Sequence, residues 1–172
     1  MKIVETERLR LRTLRLSDAA FYLELLNTPD FIAQIGDRNI RTVKAARESI
    51  RNGPLAMQAE RGHSIYLVEL KEGGMPIGMS GLIKRDTLDD VDLGYAFLPA
   101  YFGKGYAHEA ALAVLRHAQH GIGLARVVAI TSPGNEASSK VLAKVGMRFE
   151  KLVLLTPEDT GTCLYAIDFP VA

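Results

Sequence analysis

The stretch Pro99–Ala111, PAYFGKGYAHEAA, leads from a strand-like segment through two glycines into an alanine-rich helical pattern. Glycines just ahead of a helix serve either a tight turn that needs positive φ or a ligand that must approach the backbone. The first helical turn also has about four N–H groups without intrahelical partners and carries the positive end of the helix dipole. A phosphate would satisfy both, although the stretch lacks the spacing of a nucleotide-triphosphate loop and of a dinucleotide fold.

Length and composition predict one ordinary globular domain, residues 1–172. The chain is 48% hydrophobic and 24% charged, which is typical of soluble proteins. It has no apolar run near the roughly 20 residues that span a bilayer, and its first residues lack the apolar stretch of a signal peptide. The net charge of +1 does not give the basic footprint of a nucleic-acid binder. We therefore expect a cytoplasmic protein with no membrane or nucleic-acid partner.

The cysteine and the histidines do not predict a metal site. Cys163 is the single cysteine, so it cannot form an internal disulfide, and its apolar neighbours predict a buried structural thiol. His63, His117 and His120 have no metal-ligand spacing, and we expect them at the surface or at strand ends.

Hydrophobic periodicity in the first third of the chain predicts a strand followed by helices. Alternation over residues 7–15 predicts a half-buried first strand, and Ser17 is a candidate N-cap for a helix over about 18–27. A second helix is expected from Thr42 to about Arg51, with a stop at the glycine and proline of residues 52–54, and the pattern allows a short helical turn after them, before Arg61.

The remaining periodicity predicts an α+β domain with a largely antiparallel sheet. Two helices are expected, one from Ala107 to about Gly121 and one after Asn135 that is capped by Gly146. Period-two or short apolar segments predict strands over residues 63–70, 77–84, 91–98, 126–131, 147–155 and 162–169. This layout by itself names no function.

Three motifs in register resemble the GNAT superfamily of acetyl-CoA N-acetyltransferases, and within it the branch that contains the ribosomal-protein N-terminal acetyltransferases. They are Thr6-Glu-Arg-Leu-Arg-Leu-Arg12, then Asp92-Leu-Gly-Tyr95 leading into the opening stretch, then Asn135-x-x-Ser138 with Lys144-x-Gly146. The likeness runs from about residue 5 to residue 170. It implies a mixed, mostly antiparallel, splayed sheet flanked by helices.

The resemblance implies acetyl-CoA as the cosubstrate and assigns residues to it. Backbone N–H groups near the start of the helix would bind the CoA pyrophosphate, and the residues concerned are Phe102, Gly103, Lys104, Gly105, Tyr106 and Ala107. Backbone groups of Phe97 and Leu98 would be left for the pantetheine arm and the thioester carbonyl, because their strand splays from residues 126–131. Asn135 would contact the pantetheine arm and Ser138 would lie near the sulfur. Lys140 would meet a CoA phosphate, or is a solvated helix lysine.

Catalysis of this kind needs a base, because a free amine must attack the thioester. Deprotonation at pH 7 costs about 1 kcal/mol for an α-amine and about 4.6 kcal/mol for a lysine side chain. Asp92 aligns with the strand acid that often serves as the base and would act through water; the alternative is a solvent-facing strand carboxylate. Glu109 matches a residue frequent in this branch, and helix-start electrostatics explains it equally well. Leu142 stands where many relatives have a tyrosine acid, so thiolate departure would rely on Ser138 or water.

The preferred hypothesis is direct transfer of an acetyl group to a primary amine, either a peptide or protein N-terminus or a small amine. Two alternatives stay open: transfer of a different acyl group, and a CoA-binding regulatory or interaction module without turnover. Tyr66 and Tyr95 either line the acceptor pocket or only pack in the sheet. The sequence allows a monomer or a homodimer.

Overall fold

The computed structural model describes residues 1–170, which form one eight-stranded sheet flanked by helices. The strands are β1 Lys2–Glu5, β2 Leu9–Thr13, β3 Ile65–Leu70, β4 Pro76–Ile83, β5 Asp92–Phe97, β6 Arg126–Thr131, β7 Arg148–Val153 and β8 Thr162–Asp168. The helices are α1 Ala19–Leu26, α2 Pro29–Gln34, α3 Val43–Ile50, α4 Ala56–Arg61, α5 Tyr106–Arg116 and α6 Glu136–Lys144.

The strand order is β1-β2-β3-β4-β5-β6-β8-β7, and every neighbouring pair is antiparallel except β5 and β6. Parallel neighbours need a crossover connection, and α5 supplies it. The glycine-rich stretch therefore lies where the chain leaves β5 to enter the crossover helix. The predicted mixed, mostly antiparallel sheet is confirmed.

The two central strands separate soon after they meet. Only Asp92 and Val128 are in register between β5 and β6, and the Val128 N–H donates to the Val91 carbonyl at 3.0 Å. On its other side, β5 stays paired with β4 over its whole length, from Ile83–Asp92 to Gly78–Phe97. We call the gap between residues 93–97 of β5 and 129–131 of β6 the splay. The sheet thus divides into a β1–β5 arm and a β6–β8 arm.

The two faces of the sheet carry separate apolar clusters. On one face, Leu93 and Phe97 of β5 pack with Ala110, Ala111 and Val114 of α5. On the other face, the helices between β2 and β3 cover a second cluster that includes Leu25, Ile50, Leu67 and Met79. Burying a leucine, valine or phenylalanine side chain contributes about 1.5–3 kcal/mol, so the cluster on the first face holds α5 against β4 and β5.

Within the first twenty residues, the structure has one strand more than predicted, and the first helix begins differently. A short strand, β1, pairs with β2 ahead of the predicted first strand. Ser17 is not an N-cap, because residues Leu16–Asp18 form a 3₁₀ turn and α1 begins at Ala19. Asp18 directly precedes α1, but its side chain accepts from the Arg15 N–H at 2.7 Å, at the start of the 3₁₀ turn, rather than from an N–H of α1.

A helix that periodicity did not predict follows α1. Pro29 is the first residue of α2, and the Thr28 hydroxyl accepts from the Phe31 N–H at 3.2 Å. Threonine followed by proline begins this helix, because proline fits the first helical position and needs no N–H acceptor there. The sequence indicated only the end of α1 at this point.

Two helical runs continue through π-helical segments. Residues Arg51–Leu55 join α3 to α4, and the wider turn accommodates Pro54, which lacks an N–H. The expected stop at residues 52–54 is therefore wrong. Likewise, His117–Ile122 extends α5 to Gly123, whose φ of 85° ends the run two residues beyond the predicted end.

Candidate active site

The glycine loop, residues 102–107, has the backbone geometry that requires glycine. Gly103 and Gly105 have φ values of 74° and 82°, in the left-handed region. A Cβ at Gly103 would meet no atom within 4 Å, and one at Gly105 would lie 3.3 Å from Arg8 Nη2. The turn therefore accounts for both glycines, and the open space beside Gly103 also lets a ligand approach the backbone.

The loop delivers the N-terminus of α5 to the surface. The Glu109 N–H donates to the Gly105 carbonyl at 3.0 Å and closes the first turn. The N–H groups ahead of Glu109 have no intrahelical acceptor, because no earlier turn exists. Phe102, Gly103, Lys104 and Gly105 are exposed, and Tyr106 and Ala107 are partly so. This arrangement suits an anion at the helix start.

Arg8, which directly precedes β2, holds the glycine loop through several contacts. Its Nη1 donates to the Lys104 carbonyl at 2.9 Å, and its guanidinium carbon lies 4.4 Å from the centroid of the Tyr106 ring. Its Nε and backbone N–H donate to Glu109 at 2.6 and 3.0 Å, and the Thr6 hydroxyl donates to the same carboxylate. Sequence reasoning missed this role of Arg8; the Thr6-Glu-Arg8 motif was the available signal.

These contacts also explain why Glu109 is ionised and what it does in the fold. Burial by itself would raise the pKa of its carboxyl, but hydrogen bonds from Thr6 and Arg8 outweigh burial and lower that pKa. The ionised carboxylate sits in the first turn of α5, where the helix dipole favours negative charge. Glu109 therefore holds the loop to the β1–β2 connection.

The end of β5 lies next to the glycine loop and beside the splay. The Leu98 N–H donates to the Ile77 carbonyl at 2.9 Å, and the Leu98 carbonyl accepts from the Tyr101 N–H at 3.0 Å. The expectation that Leu98 offers free backbone groups is therefore wrong, because β4 and the following turn use them. Backbone direction alternates along a strand, so Phe97 turns its N–H and carbonyl away from β4, into the splay.

Asp92 lies at the closed end of the splay, in register with Val128. Its side chain is buried, with a relative exposure of 0%, so the solvent-facing alternative is wrong. Arg85 Nε donates to its two oxygens at 3.1 and 3.3 Å. Burial raises the pKa of the Asp92 carboxyl, and Arg85 opposes part of that rise. Burial together with a specific charged partner is typical of carboxylates at functional sites.

Asn135 and Ser138 occupy the start of α6, across the splay from β5. The Asn135 side-chain oxygen caps the helix by accepting from the Ser138 N–H at 3.3 Å, and within residues 1–170 its amide N–H₂ makes no hydrogen bond and can donate to a ligand. The Ser138 hydroxyl lies 2.8 Å from the Tyr95 hydroxyl. Side chains at positions 92 and 95 point to opposite faces of a strand, so the structure does not bring Asp92 and Ser138 together.

Burial distinguishes the other two positions in α6. Leu142, at the position of the tyrosine acid, is 1% exposed and packs in the cluster under α5. Lys140 is exposed, which fits a phosphate contact and a solvated lysine equally well.

Several remaining expectations are corrected or narrowed. His63 is buried rather than at the surface, and it lies at a strand end, two residues ahead of β3, with its Nδ1 3.0 Å from the Leu82 carbonyl oxygen. Tyr66 is fully buried and packs edge-on against His117. Cys163 is half-buried rather than buried.

Two negative findings apply to residues 1–170. Within that range, no group of three or more histidine, cysteine, aspartate or glutamate side chains is arranged to hold a metal ion. Over the same residues, the helices are too short or too polar to cross a membrane.

Comparison with known proteins places this geometry in a family. The family model of the acetyltransferase (GNAT) domain matches residues 8–148. The uncharacterized protein YkkB of Bacillus subtilis (strain 168) is 30% identical over 151 residues, which cover 86% of each chain.

Solved structures share the fold over nearly the whole chain. An acetyltransferase from Agrobacterium tumefaciens str. C58 is 25% identical, with a TM-score of 0.83 over 98% of this chain and 95% of its own. RimL, a ribosomal L7/L12 alpha-N-protein acetyltransferase solved in complex with coenzyme A, has a TM-score of 0.82 at 16% identity over 98% of both chains. The structural neighbours thus include a ribosomal-protein acetyltransferase, as the sequence motifs implied. With its glycine loop, its splayed sheet and the family match over most of its length, this chain belongs to the GNAT family of acetyltransferases.

Proposed function

We propose that this enzyme transfers the acetyl group of acetyl-CoA directly to a primary amine, and that the amine is the N-terminus of a peptide or protein. The observation that carries the proposal is the glycine loop at the N-terminus of α5, placed directly beside the splay between β5 and β6. GNAT acetyltransferases use acetyl-CoA. The glycine loop fits the pyrophosphate of that molecule, and the splay fits its pantetheine arm.

The glycine loop would hold the pyrophosphate of CoA. Gly103 and Gly105 bring the backbone of residues 103–107 to the surface without side chains in the way, and the N–H groups of the first turn point toward an anion there. Lys104, exposed in the same loop, adds a positive charge. Phe102 is 47% exposed and would shield the phosphates from solvent.

The splay would take the pantetheine arm. Phe97 directs its backbone groups into the gap from one side, and Asn135 has its free amide N–H₂ on the other. From Phe97 to Asp92 the strand advances about 3.3 Å per residue, or roughly 16 Å. An extended arm that starts at the loop therefore leads toward the closed end, where the buried Asp92 lies.

Asp92 would serve as the base, through a water molecule, because its side chain is buried and one methylene shorter than glutamate. Its raised pKa strengthens it as a proton acceptor once ionised, and Arg85 keeps the ionised form accessible. Ser138 would donate a hydrogen bond to the departing thiolate.

An α-amine is the favoured acceptor because it needs about 3.6 kcal/mol less than a lysine side chain for deprotonation at pH 7. A structural neighbour that acts on the α-amine of a ribosomal protein supports the same choice. Acceptor specificity would reside in residues 28–41, 53–63 and 154–162, which border the expected acceptor side. We place the reaction in the cytoplasm.

The test is calorimetric titration with acetyl-CoA, followed by mass spectrometry of a mixed pool of peptides and small amines incubated with enzyme and acetyl-CoA. Binding together with a gain of one acetyl group on an α-amine supports the proposal and identifies the acceptor. Failure to bind acetyl-CoA contradicts it.

A second candidate is a CoA-binding module without turnover. The burial of Leu142 at the position of the usual acid favours it. Binding of acetyl-CoA without acetyl transfer to the pool, and likewise without transfer from longer acyl-CoA donors, would support this second candidate.

A further inference from the structure

A pair of hydroxyl groups bridges the two sides of the splay. Tyr95 extends from β5, and its hydroxyl oxygen lies 2.8 Å from Ser138 Oγ on α6. The same tyrosine oxygen lies 3.4 Å from the Ser138 carbonyl oxygen. Tyr95 is three residues beyond Asp92, the last β5 residue in register with β6, so the pair lies where the strands have separated.

The surroundings of Tyr95 keep its phenol protonated. Burial raises the pKa of Tyr95, and the hydrogen bond with Ser138 offsets only part of that rise. The phenol hydrogen has two acceptors in reach, and Ser138 Oγ at 2.8 Å lies at the ordinary O–H···O distance, whereas the carbonyl oxygen at 3.4 Å lies beyond it, so we take Tyr95 as the donor to Ser138 Oγ. When Tyr95 donates to Ser138 Oγ, the serine's own hydrogen is free to point elsewhere.

The residue at the position of the usual tyrosine acid cannot assist departure of the thiolate. Leu142, on the same helix as Ser138, is 1% exposed in the core and has no proton to donate. Tyr95 reaches Ser138 from a different element, the strand that borders the splay.

We propose that Tyr95 is a positioning residue that fixes the Ser138 hydroxyl so that its hydrogen points toward the sulfur of CoA. This inference rests on the proposed function, since it takes the sulfur to lie beside Ser138. The phenol orients a donor here and does not itself touch the reacting atoms.

The step balances without transfer of the tyrosine proton. The amine nitrogen forms a bond to the acetyl carbon, the carbon–sulfur bond breaks, and its electron pair stays on sulfur. The proton lost by the amine passes to Asp92 through water. The thiolate is stabilised by the hydrogen bond from Ser138 and takes a proton from solvent on release.

The first experiment needs no acceptor. Calorimetry measures the affinity for free CoA across the ionisation range of its thiol, around pH 8.5 for an ordinary thiol, and desulfo-CoA corrects for titration of the protein's own groups. We expect CoA to bind about tenfold more tightly as the thiol ionises. Tyr95→Phe and Ser138→Ala should lose most of this gain.

Tyr66→Phe is the matched control. It removes a hydroxyl from another strand tyrosine, and that hydroxyl has no hydrogen-bond partner within residues 1–170. We expect it to keep the wild-type gain. A Tyr95→Phe variant that binds CoA but keeps the full gain, or wild type without any gain, overturns the inference. Wild type that does not bind CoA overturns the proposed function itself.

The second experiment uses the acceptor peptide that wild type acetylates. Tyr95→Phe should lower kcat about tenfold while the KM for acetyl-CoA changes less than about twofold. Combined with Ser138→Ala, it should add little to the loss from Ser138→Ala alone, because it acts through that serine. Losses that simply multiply would show that Tyr95 acts independently and would overturn the inference.

Discussion

Asp92 is a carboxylate whose ionisation the fold resists. Its side chain is buried, and Arg85 is the cation beside it. Because burial raises its pKa above the ordinary value of 3.8, the native state binds this proton more tightly than the unfolded chain. The contribution of this group to stability is therefore present at low pH and declines as pH rises through the native pKa.

Replacing Asp92 with asparagine should remove that pH dependence. We expect the free energy of unfolding of Asp92→Asn, relative to wild type, to rise with pH from about 4 up to the native pKa of Asp92 and then to level off. Urea denaturation at a series of pH values measures the difference. A relative stability that instead falls as pH rises toward about 4, and is constant above it, would mean that Arg85 dominates and that the pKa is lowered.

The same variant tests the catalytic assignment. Asp92→Asn should lower turnover by a factor of about 100 or more, since general bases contribute about that much, with little change in the affinity for acetyl-CoA. The loss should be greater at low pH, where free amine is scarce. Rates with the identified acceptor across a range of pH give the answer, and wild-type turnover throughout would make Asp92 a structural residue.

Gly105 combines a conformational requirement with a steric one. Its φ of 82° is a conformation that side chains rarely adopt, and Arg8 lies within 3.3 Å of the position of a Cβ. Gly105→Val should weaken CoA binding by about tenfold or more, because the strain of about 1–3 kcal/mol shifts the loop. Calorimetry with CoA measures this.

The control for Gly105→Val lies at the other end of the same helical run. Gly123 has a φ of 85°, and no atom lies within 4 Å of the position that a Cβ would take there. Gly123→Val should therefore cause similar backbone strain without affecting CoA. Equal CoA affinity in the two variants would mean that the glycine loop does not bind the pyrophosphate.

At the scale of elements, the β1–β2 connection supports the start of α5. Arg8 contacts the Lys104 carbonyl, the Tyr106 ring and the Glu109 carboxylate at once. Through these contacts a segment far away in sequence fixes the loop and the first turn of the crossover helix. The conformation of the loop is thus a property of two elements.

Arg8→Ala should weaken CoA binding about fivefold, because the loop loses a partly exposed ion pair and one carbonyl contact. The fold should persist. Arg10→Ala is the matched control, since Arg10 pairs with Glu5 and Glu69 and not with the loop. Calorimetry should find wild-type affinity for CoA in that control. An equal loss of affinity in both variants would mean that Arg8→Ala acts by disturbing the sheet and not the loop.

At the scale of the whole molecule, Arg126 joins the two arms at the closed end of the splay. Its Nε lies 3.2 Å from Asp90, which precedes β5 in the first arm. Its other nitrogens lie 2.6 Å from Glu150 and 3.1 Å from Asp168, both in the β6–β8 arm. Of these ion pairs, the one with Asp90 crosses between the arms, next to the one register pair that β5 and β6 share.

Arg126→Ala should lower the free energy of unfolding by about 1 kcal/mol, since the ion pairs are partly exposed and screened by solvent. The loss should shrink in high salt. Arg148→Ala is the control, because Arg148 pairs with Asp168 inside one arm. Urea denaturation at low and high salt distinguishes them, and a loss in Arg148→Ala as large as that in Arg126→Ala would refute the linking role.

Much of the fold could be predicted from the sequence because each strand carries its own alternating or apolar pattern. Strand β6, for instance, has the predicted bounds. Predictions from residue type alone failed where contacts or backbone geometry nearby favoured a different local structure. Pro54 sits inside a helical run because a π-helical turn accommodates it, and Asp18 rather than Ser17 binds the Arg15 N–H.

By itself, the sequence determined the glycine loop, the family and the order of most elements, because turn glycines, capping residues and hydrophobic periods act over a few residues. Only the tertiary structure decided that Arg8 supports the loop, that Asp92 is buried against Arg85, and that Tyr95 meets Ser138 across the splay. Those contacts join residues from separate elements, and their geometry depends on how far β5 and β6 diverge. Hydrogen bonding and burial at these positions are set by the packing of the whole sheet, which no local pattern encodes.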